Sequence, residues 1–290
     1  MNDNDYPALF QVADTASKRT QNYHIWSVKG YLSCLIIGSV LAFYGINNSY
    51  LAIAAAFVFI IGILLTFFIL NKDFENAWYN CRALAESIKT STWKYIMRAE
   101  PYADTNDVRV ANSEFRNLLK RLLNQNSNLS HVFVDEACER EQITSIMKKV
   151  RAMSLEERKN FYIEYRIDDQ RKWYSKKAVT NKNHRKVWFG ILIALNVLAL
   201  TFVLLRIDSP SFQYWPVEIL VVLSGACLTW IQIKKFQELS SAYSLTAHEI
   251  GTIRGEIERV DGEEMFSDFV NDSENAFSRE HTQWLAKRVH

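Results

Sequence analysis

Apolar and polar positions are strongly segregated along the chain. Four apolar runs interrupt a sequence that is otherwise dense in charged residues, and they cover residues 30–46, 50–70, 187–207 and 215–233. At about 1.5 Å per residue, a helix of this length crosses a hydrocarbon core that is about 30 Å thick. The runs come in two pairs, each joined by a short turn, so the pattern predicts two membrane-spanning helical hairpins.

Outside the apolar runs the periodicity is helical. No segment alternates apolar and polar residues over the length of a strand, and glycine and proline are scarce. Ser154 and Glu157 have the spacing of a capping box, which predicts a helix that begins there and continues into the third span. The predicted fold class is therefore all-α: a polytopic membrane protein with four transmembrane helices in two hairpins and long cytoplasmic helices.

Basic residues mark one side of the predicted membrane. Lysines and arginines lie before the first span, after the second, before the third and after the fourth, whereas the two hairpin turns carry none beyond Arg206. Short cytoplasmic segments of membrane proteins are enriched in lysine and arginine. We therefore expect both termini and the middle segment to lie in the cytoplasm.

The flanks of the two hairpins repeat the same order of features. Each hairpin follows a polar helix and is followed by an amphipathic one, and laying Phe74 on Phe236 aligns residues 85–88 with residues 247–250. This duplication predicts four segments: a first two-transmembrane repeat at 1–100, a helical cytoplasmic connector at 101–153, a second two-transmembrane repeat at 154–262 and a cytoplasmic C-terminal tail at 263–290.

A charged and aromatic stripe follows the second span. Its members recur at helical spacing, with Glu86 among them, and share one face. One interpretation is structural, with tryptophans packed on neighbouring helices and ion pairs along the helix worth about 0.2 to 0.5 kcal/mol each. The other is a nucleotide-binding surface, in which cations bind phosphate and a tryptophan stacks on a base. The candidates for ligand binding or gating are Trp78, Arg82, Lys89, Trp93, Lys94 and Arg98.

A second basic cluster precedes the third span. The simplest interpretation is that its charges lie against anionic lipid headgroups and fix the orientation of the span. In a symmetric oligomer the same charges would form a ring that attracts an oligonucleotide or a cyclic nucleotide. The candidate ligand-binding residues of this cluster are Arg171, Lys172, Lys176 and Lys177.

Two of the spans carry rows of unusual residues. In the first span, Gly30, Cys34, Gly38 and Ala42 recur every four residues, a spacing that lets another helix approach closely, so we expect an oligomer contact there.

The fourth span has a polar face, and turning such groups toward lipid costs at least a few kcal/mol. This face is either a pore lining or a packing surface. The pore-lining candidates are Glu218, Val222, Gly225, Thr229 and Gln232, together with Asn196 in the third span, whose alternative role is an interhelical hydrogen bond.

The sequence lacks the common signatures of enzymes and metal sites. It has no GxxxxGK phosphate loop, no GxSxG, no HExxH and no GxGxxG. The cysteines show neither CxxC spacing nor a cysteine and histidine pattern of the kind that binds zinc. We therefore expect no catalysis, no cofactor and no metal.

Motifs in both halves resemble a known pair of families. The first half carries Trp78, Arg82, Glu86, Lys89, Trp93-Lys-Tyr95 and Ala99-Glu-Pro-Tyr102, and the second carries Tyr165-Arg-Ile-Asp-Asp-Gln170, Trp173-Tyr174, Lys177-Ala178, Tyr243 and Ala247-His-Glu249. These motifs resemble the SLATT families, which are two-transmembrane effector domains of bacterial nucleotide-signalling defence systems. Because both halves are covered, the chain resembles a tandem SLATT protein.

The resemblance implies an effector of the bacterial inner membrane that acts in anti-phage, abortive-infection defence. On this basis we expect a homo-oligomeric ion channel or pore, with a tetramer favoured, that depolarises the membrane. Its gating signal would be a nucleotide or oligonucleotide made by a partner nucleotidyltransferase and sensed by the cytoplasmic helices. The alternative is a non-conducting membrane scaffold that recruits a partner protein through those helices.

Overall fold

The computed structural model describes residues 1–103, 107–133, 140–208 and 214–286. Within these ranges it contains helices and turns but no β-strand. Parts of the predicted connector, of the turn between the third and fourth spans and of the C-terminal tail lie outside the described residues. The helices are α1 Ala8–Tyr44, α2 Ser49–Lys72, α3 Phe74–Ile96, α4 Val108–Gln125, α5 Ser145–Arg151, α6 Leu155–Tyr162, α7 Asp169–Asp208, α8 Val217–Lys234, α9 Phe236–Glu256 and α10 Gly262–Ala286, and a π-helix, Ile163–Asp168, joins α6 to α7.

Among the described residues, four helical segments are long and apolar enough to cross a membrane, and each corresponds to one of the predicted apolar runs. The fourth segment begins at Val217, two residues inside the predicted run. The third of these segments begins at Leu155, directly after Ser154, which is the first residue of the predicted capping box. There the Glu157 backbone N–H donates to the Ser154 hydroxyl, and the Ser154 backbone N–H donates to the Glu157 carboxylate. The helix then continues from Leu155 to Asp208. The predicted fold class is confirmed.

The two hairpins end in the same backbone feature. Asp73 follows α2 and Lys235 follows α8, and both adopt the left-handed conformation, with φ of 43° and 45°. A left-handed residue ends a helix, and in each case a phenylalanine, Phe74 or Phe236, begins the next one. The predicted alignment of these phenylalanines therefore marks the same structural position in both repeats.

The chain forms two compact units, which we call the polar unit and the span unit. The polar unit comprises Met1–Gln21, Glu75–Lys176 and Ala242–His290, and the span unit comprises Asn22–Phe74 and Lys177–Ser241. All four apolar runs belong to the span unit. Helices α1, α3, α7 and α9 contribute residues to both units.

The polar unit has a core of aliphatic and aromatic side chains from all three of its segments. Phe10, Trp93 and Phe266 represent the first, middle and last segments, and all three are buried in one cluster. Membrane spans separate these segments along the chain, yet segments that share a core must lie on one side of a bilayer. The structure thus supports a common side for both termini and the middle segment, and the assignment of that side to the cytoplasm stays a prediction.

Most of the segment predicted as a C-terminal tail is a helix. Helix α10 buries Phe266, Phe269, Val270 and Phe277 in the core of the polar unit. This helix was not predicted from the sequence, although its buried apolar residues recur at helical spacing. Its burial makes it a structural part of the polar unit.

The row of small residues in the first span lies against the second span of the same chain. A methyl group added at Gly38 would come within 2.7 Å of the Phe59 ring. One added at Gly30 would lie 3.4 Å from Leu65 Cδ1. A Cβ atom in a real protein essentially never lies within 3.0 Å of a neighbouring carbon, so a larger residue at Gly38 would require the Phe59 ring to move.

Cys34 extends the same contact, since its Cβ would lie 3.5 Å from a methyl group added at Gly62 in α2. Ala42, by contrast, is exposed. Packing within one chain therefore accounts for three of the four small residues without a second subunit. A contact of this row with another copy of the chain stays a prediction.

Helix α8 packs between α1 and α7 in the span unit. Its contact with α1 is a small apolar cluster of Val28, Leu32 and Ala226. Its contact with α7 includes the Cys227 thiol, which donates to the Trp188 carbonyl oxygen at 3.6 Å. The first and fourth spans are accordingly the more buried ones, whereas Ala199 is the single buried residue of the third apolar run.

Candidate functional site

The polar face of α8 points away from the other helices of the chain. Glu218, Gly225 and Gln232 are exposed, and Val222 and Thr229 are partly exposed. A methyl group added at Gly225 would meet no other atom within 4 Å. The opposite face carries the residues that pack inside the chain, which are Leu220, Ser224, Cys227 and Ile231. The predicted pore-lining face of α8 is therefore available to water, lipid or a second copy.

The polar side chains of the spans differ in how many of their hydrogen-bonding groups have partners. The Thr229 hydroxyl donates to the Gly225 carbonyl oxygen at 2.9 Å, and the Asn196 amide donates to the Leu192 carbonyl oxygen at 2.8 Å. A hydroxyl satisfied by its own helix is inexpensive in lipid, but the exposed Asn196 amide has one further N–H and a carbonyl oxygen. Asn196 therefore makes its bond within α7, and the predicted interhelical bond is absent from the contacts of the described residues.

Glu218 faces a cation on the neighbouring span. Its Oε1 atom lies 3.7 Å from Nη1 of Arg206, and both side chains are more than half exposed. An ion pair of this length and exposure contributes at most about 1 kcal/mol. The pair leaves the Glu218 side chain 64% exposed, so its carboxylate is accessible to other cations.

Trp93, a candidate for stacking on a base, is completely buried in the polar unit. Its indole N–H donates to the Tyr6 hydroxyl at 3.0 Å, and its ring lies 5.7 Å from that of Tyr162. Burial also raises the pKa of Tyr6 above its ordinary value, so this phenol stays neutral. In this structure Trp93 cannot reach a nucleotide, and its contacts are those of a core residue.

The other members of the stripe also make contacts inside the polar unit. The Arg82 guanidinium lies 2.7 Å from the Glu86 carboxylate and 3.8 Å from Asp14. Burial lowers the pKa of Lys89 below its ordinary value, because the charged ammonium loses hydration. Trp78 is partly exposed and stacks on Tyr79 with ring centres 4.5 Å apart. These contacts favour the structural interpretation of the stripe.

Lys94 and Arg98 are likewise engaged. The Lys94 ammonium donates to Asn275 Oδ1 at 3.1 Å, and Arg98 Nε donates to the Arg151 carbonyl oxygen at 2.9 Å. The four basic residues at the start of α7 are all exposed: Arg171, Lys172, Lys176 and Lys177. Of the two predicted basic regions, the one on α7 is therefore the more accessible to a soluble anion.

A buried ion pair that the sequence analysis did not predict lies at the centre of the polar unit. Arg166 donates from Nε and Nη2 to the two carboxylate oxygens of Glu274, at 2.8 and 2.6 Å. The Tyr162 hydroxyl donates to the same carboxylate at 2.9 Å. Arg166 and Glu274 are 2% and 0% exposed. Arg166 falls in one of the quoted motifs, but its partner lies 108 residues away, in the segment predicted as a tail.

Family models match nearly the whole chain in two consecutive pieces. Residues 7–159 match the SMODS and SLOG-associating 2TM effector domain 3, and residues 162–284 match the SMODS and SLOG-associating 2TM effector domain 1. The chain belongs to the SLATT family. The predicted tandem SLATT arrangement is confirmed, and each SLATT domain contains one of the two hairpins.

The SLATT assignment makes this protein a multi-pass membrane effector of the kind associated with SMODS and SLOG domains. The match to SLATT domain 3 includes the segment predicted as a connector, and the match to SLATT domain 1 includes most of helix α10. No curated protein and no solved structure matches the chain. Within the residues that the structure describes, no group of three or more His, Cys, Asp or Glu side chains could hold a metal ion.

Proposed function

We propose that this SLATT protein forms a homo-oligomeric ion channel that depolarises the bacterial inner membrane and is gated by a nucleotide-derived signal. Its action would be that of an abortive-infection effector. The observation that carries the proposal is the outward polar face of α8. Glu218, Gly225 and Gln232 are exposed on a helix that is otherwise apolar enough to cross a membrane.

The physical argument is the cost of leaving these groups against lipid. A carboxylate or a primary amide cannot satisfy its hydrogen bonds in hydrocarbon, so such residues in spans face protein or water. Apart from the contact of Glu218 with Arg206, the helices that the structure describes leave this face exposed, and a symmetric oligomer would turn it toward a shared axis. Glu218 would then repeat as a ring of carboxylates, and such rings favour cations over anions.

The proposed sensor is the exposed basic segment of the polar unit on α7. Lys172 and Lys176 are four residues apart on this helix, and like charges at that spacing destabilise it slightly. A bound phosphate would relieve the repulsion, and Arg171 would add a planar cation suited to phosphate oxygens. The third span belongs to the same continuous helix, so an anion held at this segment acts on the element that enters the membrane.

Conductance across a planar bilayer tests the channel. We expect the purified protein, opened by a member of a panel of cyclic di- and trinucleotides, to conduct cations in preference to anions under a KCl gradient. Glu218→Gln should shift the reversal potential toward zero while conductance persists. Glu238→Gln is the matched control, because it removes an exposed carboxylate outside the apolar runs, and it should leave selectivity unchanged.

Two results would contradict the proposal in different ways. An unchanged reversal potential in Glu218→Gln, with conductance present, would remove this face from the conduction path. Absence of conductance with every nucleotide, in protein that inserts and is folded, would instead favour the non-conducting scaffold.

The sensor is tested separately. Loss of the nucleotide response in a Lys172→Ala and Lys176→Ala double variant that still inserts into membranes would support its placement on α7.

A further inference from the structure

Two lysines of the span unit contact one tryptophan ring at the junction of the first and fourth spans. The Lys29 ammonium lies 5.7 Å from the centre of the Trp230 ring, and the Lys234 ammonium lies 5.1 Å from it. Lys29 also lies 4.9 Å from the centre of the Trp26 ring, and the Trp26 side chain is 69% exposed. We call Trp26, Lys29, Trp230 and Lys234 the basic aromatic cluster.

The position of the cluster along the chain sets its depth in a membrane. Lys29 directly precedes the first apolar run, and Lys234 directly follows the fourth. Both therefore lie where hydrocarbon gives way to headgroups, on the side predicted to be cytoplasmic. Tryptophan rings prefer this layer, and lysines in it meet the phosphates of the lipid.

The described contacts of the two lysines of the cluster include no carboxylate of the span unit. Asp73, Asp208, Glu218 and Glu238 are the acidic residues of this unit by sequence. Glu218 lies on the far side, beside Arg206, and Asp208 ends the helix that carries Arg206. Within the described part of the chain, the contacts given for both lysines are with tryptophan rings. Two ammonium groups around one ring repel each other, and an anion beside them would remove this cost.

We propose that the basic aromatic cluster is a binding site for the phosphate of an anionic phospholipid. The two ammonium groups bind the phosphate oxygens, and the exposed Trp26 ring, about one turn before Lys29 on α1, packs against the lipid headgroup. The apolar contact beneath, formed by Val28, Leu32 and Ala226, joins the same two helices. A lipid held at this place therefore ties α1 to α8 at their membrane-surface ends.

Native mass spectrometry of the purified full chain from mixed micelles tests this site. The micelles contain phosphatidylglycerol and phosphatidylcholine in equal amounts, and the readout is the ratio of the two lipids retained. We expect the wild type to retain phosphatidylglycerol preferentially. A Lys29→Gln and Lys234→Gln double variant should lower that preference about tenfold or more, since each lysine near an anionic surface contributes substantially to binding.

The matched control is a Lys72→Gln and Lys182→Gln double variant. It removes the same number of charges from other exposed positions of the span unit, and it should keep the preference. Equal losses in both variants would show unspecific attraction and overturn the proposal, as would a wild type without preference.

Inorganic phosphate at matched concentration should not compete, and competition by it would assign the site to a soluble anion instead. If the glutamine variant does not fold, Lys29→Arg with Lys234→Arg should keep the preference, and its loss would count against the site.

Discussion

The polar unit and the span unit treat polar side chains in opposite ways. In the polar unit, charged groups are drawn into the core and paired there: Arg166 and Glu274 are almost inaccessible and bond to each other twice. In the span unit, Glu218, Gln232 and Asn196 point outward, on helices whose inward faces are apolar or small.

This difference separates buried polarity that is strongly paired from outward polarity that is weakly paired. The bidentate bond between Arg166 and Glu274 joins α10 to the middle segment of the polar unit. Outward polar groups in a span, such as Glu218 with its long contact to Arg206, contribute little to the stability of a single chain, and in lipid they are unfavourable. The comparison therefore predicts that substitutions in the two units will change different measurements.

The largest effect should come from breaking the pair in the polar unit. Glu274→Gln leaves the Arg166 cation buried without a counter-charge, which costs about 3 to 5 kcal/mol. Denaturant unfolding of the protein in detergent, followed by tryptophan fluorescence, measures this loss. The Arg166→Met and Glu274→Met double variant removes both charges and should lose much less stability. Equal losses in the single and double variants would mean that packing, and not pairing, matters at this position.

A smaller effect should distinguish the two glycines that lie on inward and outward faces. Gly38→Leu forces a side chain into the Phe59 ring and should destabilise the protein by about 1 to 3 kcal/mol. Gly225→Leu meets open space and should change the free energy of unfolding by no more than about 0.5 kcal/mol. Its effect should appear in conductance, because it narrows the proposed path.

Phe59→Ala offers a rescue for the first of these variants, since it removes the ring that the new side chain meets. Comparable destabilisation by Gly38→Leu and Gly225→Leu would contradict the assignment of Gly38 to an inward face and of Gly225 to an outward one. A smaller detergent-solubilised particle for Gly38→Leu would show that the row of small residues also contacts a second copy.

The smallest effect should come from Lys89, a partly buried cation whose pKa is lowered by desolvation. Lys89→Met removes the cost of burying the charge and should raise stability at neutral pH by less than about 1 kcal/mol. As pH rises through the lowered pKa toward the ordinary value of about 10.5, the folded state releases its proton before the unfolded state does. The wild type should therefore gain stability relative to Lys89→Met over that interval. A constant difference across these pH values would show that Lys89 is not desolvated.

The sequence was sufficient to predict the spans and their pairing. A membrane span is a local feature, because its length and composition are set by the bilayer and not by distant residues. The capping box at Ser154 and the equivalence of Phe74 with Phe236 are also local, and the structure contains both features.

What the sequence could not predict depends on contacts between distant residues. A helical wheel placed Trp93 and Arg82 on one face but could not tell whether that face is buried or binds a ligand. The pairing of Arg166 with Glu274 is not visible in either segment alone, since each sequence reads as an ordinary charged helix. For α8 the wheel identified the polar face, but only the packing of α1 and α7 on the other side showed that it points outward.

The π-helix Ile163–Asp168 has a consequence for comparing members of the family. A π-turn closes each hydrogen bond one residue later than an α-turn does, so it holds an additional residue and shifts the angular position of everything after it by about 100°. A heptad or wheel projection drawn through the capping box and continued into the third span therefore assigns the wrong faces beyond residue 168. A homologue without this π-turn would present a different side of its third span while keeping every motif in order.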